Sequence, residues 1–367
     1  MLKLITSPED LPQVLAASVS AEEKKLIQKL KNSGLPFAVT PYFASLAGPE
    51  KSDPIRRQFM PDPLEAQENP FALDDPIGEA QYRITPRLVH QYRDRTLLLA
   101  GGICTGFCRY CFRRVRMSSP TSFINEEELK PVLAYLETQP GIREILISGG
   151  DPLTADDNEL EKLFIKLRKA RPDILIRLCS RVPITNPERV SPGTISLLSR
   201  YRPLRMVIHI NHSKELAPAC RSVLCNAVEA GIPVLVQTVL LRGINDNAET
   251  LAALFRECFN LGLSLYYLFQ LDLAPGTAHF RVPLKEGISI YRELRQLFPD
   301  YRLPEYVVDL PGGGGKIRLC EEAIAGEEER PGGRVYLLKD KSRARRRIEP
   351  EAGPEFPSGK LWEYPAE

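Results

Sequence analysis

Three cysteines stand within eight residues of one another in Cys104-Thr-Gly-Phe-Cys108-Arg-Tyr-Cys111, spaced C-x3-C-x2-C with an aromatic residue before the last. Thiolates that close can bind one metal centre together. A structural zinc site normally needs four ligands, commonly as two separated pairs, and no histidine pair lies at zinc-finger spacing in this chain. Three thiolates from one loop suit a [4Fe–4S] cluster with one iron left for a ligand from outside the chain. That free iron is the counterpart of the open position that separates catalytic from structural metal sites. Cys179, Cys220, Cys225, Cys258 and Cys320 are scattered among apolar residues and read as small buried side chains. Cysteines so placed are not a disulfide framework.

A second chemical signal lies in Pro311-Gly-Gly-Gly-Gly-Lys316. A phosphate loop needs G-x4-G-K-[ST] opening a helix. Here Leu310 stands where the first glycine should be and Ile317 where the hydroxyl residue should be, so the pattern fails at both ends. Two readings remain: a flexible hinge, or a lysine presented on a loop whose backbone can come close to a ligand. An amine so presented can form a Schiff base with pyridoxal phosphate.

These residues need a frame, and the hydrophobic pattern supplies one. From residue 95 onward short apolar runs alternate with amphipathic stretches. Strands are expected at Thr96–Ala100, Glu144–Ser148, Ile174–Cys179, Arg205–Ile210, Pro233–Val239 and Ser264–Phe269. Helices are expected over Asn125–Glu137, Asp157–Ala170, Gly193–Tyr201, Leu216–Ala230, Ala248–Leu261 and Lys285–Phe298. Strands that are apolar along their length and alternate with helices argue a parallel sheet covered by helices. The polar residues gather at or just after the carboxyl ends of these strands: the cysteines, Ser148-Gly-Gly-Asp151, Ser180-Arg181, His209 and Asn211, Gln237, and Gln270 with Asp272. Contributions from every strand suit the rim of a curved sheet better than the single crevice of a flat one. The expected fold class is therefore α/β, a partial (β/α)6 barrel with a helical amino-terminal lead-in and a carboxyl-terminal extension. Residues 1–85 form a helical and irregular wrap, 86–300 the barrel, and 301–367 a segment carrying Lys316 and a basic tail.

Composition limits the function classes. Hydrophobic content of 43% and charged content of 26% are those of an ordinary soluble globule. A net charge of +2 gives no bulk signal for nucleic acid or membrane. No run approaches the roughly 18 apolar residues of a membrane helix, and MLKLITSPEDLPQ has no apolar h-region, so a cytoplasmic protein is expected. The run Lys339–Arg347 reads as a solvated basic tail, with an acidic protein or tRNA-like surface as the alternative. The oligomeric state, a homo-oligomer included, is left open.

The combination has a family likeness. C-x3-C-x-aromatic-C after the first strand of a repeated βα domain resembles the signature of the radical S-adenosylmethionine (SAM) enzymes. Gly149-Gly150-Asp151 resembles their motif for the methionine amino group. With the glycine-run lysine added, the chain resembles the lysine 2,3-aminomutases from about residue 36 to residue 318, including Thr40-Pro-Tyr-Phe-Ala-Ser-Leu46 and Asp74-Asp-Pro-Ile-Gly-Glu79. The resemblance implies a radical SAM partial barrel. It implies a [4Fe–4S] cluster on Cys104, Cys108 and Cys111, SAM on the fourth iron, and pyridoxal 5′-phosphate on Lys316. Arg113 would bind the substrate carboxylate, and Asp272 and Asp309 the side-chain ammonium of L-lysine. A cationic tip in a dry barrel needs carboxylate partners, because an unpaired buried charge is costly. Arg95 and its neighbour Tyr92 match phosphate-side positions, while the preceding family arginine is Gln91 here. His209 and Gln237 match positions facing SAM or pyridoxal phosphate. The reaction implied is conversion of L-lysine to β-lysine: a 5′-deoxyadenosyl radical takes a β-hydrogen, the amino group migrates, and the hydrogen returns. An electron donor such as flavodoxin or ferredoxin is implied too. Cys108-Arg-Tyr-Cys-Phe-Arg-Arg114 and Gly101-Gly102 resemble the branch that supplies β-lysine for modification of elongation factor P, whereas the glycine-run lysine is more similar to the free β-lysine producers. An aminomutase acting on another amino acid is the remaining alternative. With Cys320 the only cysteine after residue 258, no carboxyl-terminal zinc site is expected.

Overall fold

The computed structural model describes residues 3–31, 35–116, 122–298, 303–339 and 361–366. The main sheet opens with an antiparallel meander of β1 (Arg83–Thr85), β2 (Leu88–Tyr92) and β3 (Arg95–Gly101). It continues through β4 (Glu144–Gly149), β5 (Leu175–Ser180), β6 (Leu204–His209), β7 (Val234–Val239), β8 (Ser264–Phe269) and β9 (Glu305–Leu310). It ends at β10 (Gly315–Arg318). Strand order follows sequence order across all ten strands. Pairing is parallel from β3 to β9 and antiparallel between β9 and β10. No pairing joins β1 to β10 among the described residues, so the curved sheet is a partial barrel.

The alternation of side chains along each strand decides what faces where. Ile145 and Ile147, Ile176 and Leu178, Met206 and Ile208, Val234 and Val236 are buried in the apolar core. Their neighbours on the opposite face, Leu146 and Ser148, Cys179, Val207 and His209, and Gln237, line the interior cavity. The covering helices are Glu126–Thr138, Asp157–Ala170, Pro192–Arg200, Pro218–Glu229, Ala248–Asn260 and Leu284–Leu297. In the second of these Leu160, Leu163, Phe164 and Leu167 form the i, i+3, i+4, i+7 stripe that packs on the sheet. Asn125 with Glu128, and Asp156 with Glu159, close capping boxes that fix the starts of the first two. Each expected strand and helix lies within two residues of its observed position.

Seven strands that the hydrophobic pattern did not announce complete the two sheets. β1 and β2 are a short hairpin whose turn spans the expected boundary at residue 85. β9 and β10 extend the sheet beyond residue 300, and Lys316 lies on β10, not on the glycine loop as the sequence suggests. Gly312, Gly313 and Gly315 take positive φ (65°, 83° and 74°), which turns the chain tightly enough for the lysine to be carried back as a strand. After it, β11 (Ile324–Arg330), β12 (Gly333–Lys339) and β13 (Leu361–Pro365) form a separate antiparallel sheet. The basic run beyond Lys339 lies outside the described residues. No helix among the described residues is long and apolar enough to cross a membrane.

Candidate active site

The cysteine loop leaves β3 at the rim of the sheet and is pinned from several sides. Its backbone bonds back to the lead-in through Phe107 N–H to Ala38 O (3.0 Å) and Arg109 N–H to Gln58 O (2.9 Å). The guanidinium of Arg109, fully buried between the second and third cysteines, donates to Glu65 Oε1 at 2.8 Å and Oε2 at 2.5 Å and to the carbonyls of Leu35 and Pro36. Arg114 reaches the same Glu65 at 2.5 Å. Burial alone would push Glu65 up, but Arg109 and Arg114 together hold it below the usual carboxylate range. Arg181, just past β5, donates to Cys108 Sγ at 2.7 Å and to Gln58 and Glu215, and lies over the rings of Phe43 and Tyr110.

The turn after β4 packs directly on the start of this loop. A side chain on Gly149 would meet Gly101 O at 2.2 Å, and one on Gly150 would meet Ile103 O at 2.5 Å, so only glycine permits the approach. The carboxylate of Asp151 accepts from Ser180 Oγ (2.7 Å) and from the N–H groups of Arg181 (2.6 Å), Val182 (3.2 Å) and Leu153 (3.0 Å). Its oxygens are used inside the chain, holding the Arg181 loop in place, and burial still pushes its pKa up to about 6. His209 and Gln237 are register partners on β6 and β7. His209 Nε2 lies 3.1 Å from Asn211 Oδ1, which also accepts from Val239 N–H, so Nε2 carries the proton. Burial and then the Arg181 charge lower His209 to about 3, leaving a neutral imidazole.

At the other end of the cavity Lys316 and Asp309 face each other across the β9–β10 hairpin, Nζ to Oδ2 at 2.5 Å. Phe269 and Tyr267 flank the amine, with ring centroids 4.0 Å and 5.2 Å from Nζ. Tyr92 Oη accepts from Lys316 N–H at 3.1 Å. The carbonyls of the glycine run are taken up by Gln81, Tyr82 and Gln91. Asp272, in the segment after β8, is different: its Oδ1 is buried with no hydrogen-bond partner. Burial, and then the nearby Asp309, push its pKa up to about 8. Arg95 is paired with Asp94 and stacks over Tyr92. Arg113 is paired with buried Glu79 through both Nε and Nη2.

One cavity of about 380 Å³ joins the two ends. Cys104, Cys108, Cys111 and Arg113 line it, as do Gly149, Gly150, Asp151, His209 and Gln237, and also Tyr92, Arg95, Asp272, Asp309 and Lys316. All the residues that sequence reasoning singled out for the site therefore share one space.

Residues 98–255 match the Radical SAM superfamily. A protein of Clostridium subterminale named L-lysine 2,3-aminomutase is 36% identical over 304 residues, 83% of this chain and 73% of its own length. The chain belongs to the lysine 2,3-aminomutase family. The Escherichia coli (strain K12) protein named L-lysine 2,3-aminomutase is 35% identical over 319 residues, 86% of this chain and 92% of its own. A Treponema pallidum relative, provisionally given the same name, is 45% identical over 270 residues, 74% of this chain and 76% of its own. As a family member the chain is a radical SAM enzyme of the isomerase class.

For this aminomutase-family chain, sequence reasoning passed over the residues that hold the site residues in place. Glu65 and Gln58 lie in the span whose pattern reads as an irregular wrap, and the only sequence mark on Arg181 is its place at a strand end. The signal for Glu65 was weak: a lone acid in a proline-rich span, with its arginine partners 44 and 49 residues away. Glu79 was better marked, since it closes the segment Asp74–Glu79 that carries part of the family likeness.

Proposed function

We propose that this protein is a pyridoxal-phosphate-dependent radical SAM 2,3-aminomutase that converts L-lysine to β-lysine. The observation that carries this reading is that the three cysteines, Arg113, two aspartates and Lys316 line one cavity. The chain's residues fit the groups the family uses. All three cysteines are free thiols, and Cys108 already accepts from a guanidinium. Three thiols on one loop suit the iron corners of a [4Fe–4S] cluster. Among the described residues Lys316 supplies the one lysine amine on the cavity wall, and Arg95 a cation for a phosphate.

When bound, the cluster with SAM supplies a carbon-centred radical, and pyridoxal phosphate supplies the π-system that carries the migrating nitrogen. The chain does the rest by position. Cys104, Cys108 and Cys111 hold the cluster, and the Gly149–Asp151 turn with neutral His209 and Gln237 lines the SAM side. Arg113, oriented by its two bonds to Glu79, binds the substrate carboxylate with the fork geometry that suits it. With Lys316 Nζ taken up by the cofactor, Asp309 would be freed to join Asp272 as a second carboxylate for the substrate's ammonium. Leu97, Leu146, Val207 and Leu271 keep water from the reacting centre.

Lys316→Ala tests the reading. Wild-type protein given pyridoxal phosphate is expected to show its bound-cofactor absorbance band, and the variant to lose it. β-Lysine formation should fall by roughly a thousand-fold or more, while reductive cleavage of SAM continues. A wild type without the band would mean a radical SAM enzyme that does not use pyridoxal phosphate, with Lys316 structural.

A further inference from the structure

The last strand, β13, touches both sides of the cavity's amine end without lining it. Tyr364 is buried, and its hydroxyl donates to Leu271 O at 2.6 Å, the carbonyl immediately before Asp272. The same hydroxyl accepts from Gln270 Nε2 at 3.2 Å, and Gln270 Oε1 in turn accepts from Tyr306 Oη on β9. Two residues earlier, Trp362 lies with its ring edge against Gly314. A side chain on that glycine would meet Trp362 Cε3 and Cζ3 at 2.8 Å, so the ring is seated on the backbone two residues before Lys316. Tyr364 and Trp362 are both held by pairing of β13 with β12, Tyr336 opposite Tyr364 and Leu338 opposite Trp362. One short strand thus grips the Asp272 segment with one side chain and the Lys316 hairpin with another.

We propose that β13 is a clamp that sets the spacing between the Asp272 side and the Lys316 side of the site, with Tyr364 and Trp362 as its positioning residues. Its structural part stands on these contacts alone, and its consequence for substrate rests on the function proposed above. Asp272 has no hydrogen-bonding partner on Oδ1 to fix its place. Its position is therefore set from the backbone, where the Tyr364 bond to Leu271 O holds the preceding residue, Ala274 N–H bonds Asp272 O at 2.9 Å and Leu73 N–H bonds Leu273 O at 2.7 Å. A shift of either side would change the fit of the substrate's ammonium while leaving the cysteine end, on the opposite part of the sheet, untouched.

The test uses the full chain with two conservative variants, Tyr364→Phe and Trp362→Leu, and two readouts. Peptide-resolved hydrogen exchange is expected to rise over 270–274 in Tyr364→Phe and over 311–317 in Trp362→Leu, with the 104–111 loop unchanged. In the reconstituted enzyme, Tyr364→Phe is expected to raise KM for L-lysine about ten-fold, the equivalent of one net hydrogen bond. Its kcat should stay within about two-fold, and SAM cleavage without substrate should be unaffected. Unchanged exchange in both segments overturns the clamp, whatever the activity. So does exchange that rises equally everywhere, since that is general loosening, and so does a fall in kcat with KM unmoved. A wild type that makes no β-lysine while the local exchange changes appear as expected would sink the proposed substrate and leave the clamp standing.

Discussion

The two ends of the cavity are built on opposite electrostatic plans. Around the cysteines the buried arginines are answered, Arg109 and Arg114 by Glu65 and Arg181 by Glu215, and Asp151 is held by four hydrogen bonds. Around Lys316 the count does not close. One amine faces two carboxylates, Asp309 takes it, and Asp272 is left buried with a pKa near 8. The first plan makes a rigid mount, because a satisfied buried network holds each member in one geometry. The second leaves a place for a cation that the chain does not itself supply. A radical generator needs the former and a site for a diamino acid needs the latter.

Breaking the mount should have the largest effect on the folded protein. Glu65→Gln strips the countercharge from Arg109, whose side chain has no exposure. Leaving a buried charge uncompensated is expected to lower stability by about 3–5 kcal/mol, measured by urea denaturation, and to reduce iron content after reconstitution. An Asp272 substitution should act the other way. In the substrate-free chain Asp272 keeps its proton up to about pH 8, whereas in the unfolded chain it loses it near pH 3.9. The folded state then binds the extra proton, so stability falls as pH rises from about 4 to about 8 and levels off above. Asp272→Asn should remove that slope and raise stability at pH 8.5 by about 1–3 kcal/mol, while weakening binding of L-lysine. Affinity of the native enzyme for lysine should improve as pH rises toward 8, since binding an ammonium there requires Asp272 to lose its proton. Isothermal titration in two buffers of different ionisation enthalpy would report the released proton. The smallest effect belongs to pairs outside both ends. Glu305→Gln, which breaks the exposed pair with Arg318, should change stability by less than about 1 kcal/mol and alter neither end.

The same contrast explains what the sequence made legible. The cysteine ligands are local, and their spacing is readable because one loop must offer several thiolates at once. The six βα units are readable because each strand carries its own apolar run and each helix its own cap. Lys316 stood out only through its glycines, and its strand did not, since Gly315-Lys-Ile-Arg318 is too short and mixed to show a period of two. Glu65, Glu79 and Arg181 act through partners far away in the chain, and no local pattern marks such a pair. β13 lies beyond residues with no strand-like pattern, and only its pairing with β12 makes Trp362 and Tyr364 part of the amine end.

The central claim is that the unbalanced carboxylates select a cationic substrate. Anaerobically reconstituted, reduced protein given SAM, pyridoxal phosphate and equal amounts of L-lysine and L-glutamate tests it in one reaction, with the products separated by chiral chromatography. The account predicts β-lysine and no β-glutamate. β-Glutamate as the main product, with lysine untouched, would contradict it.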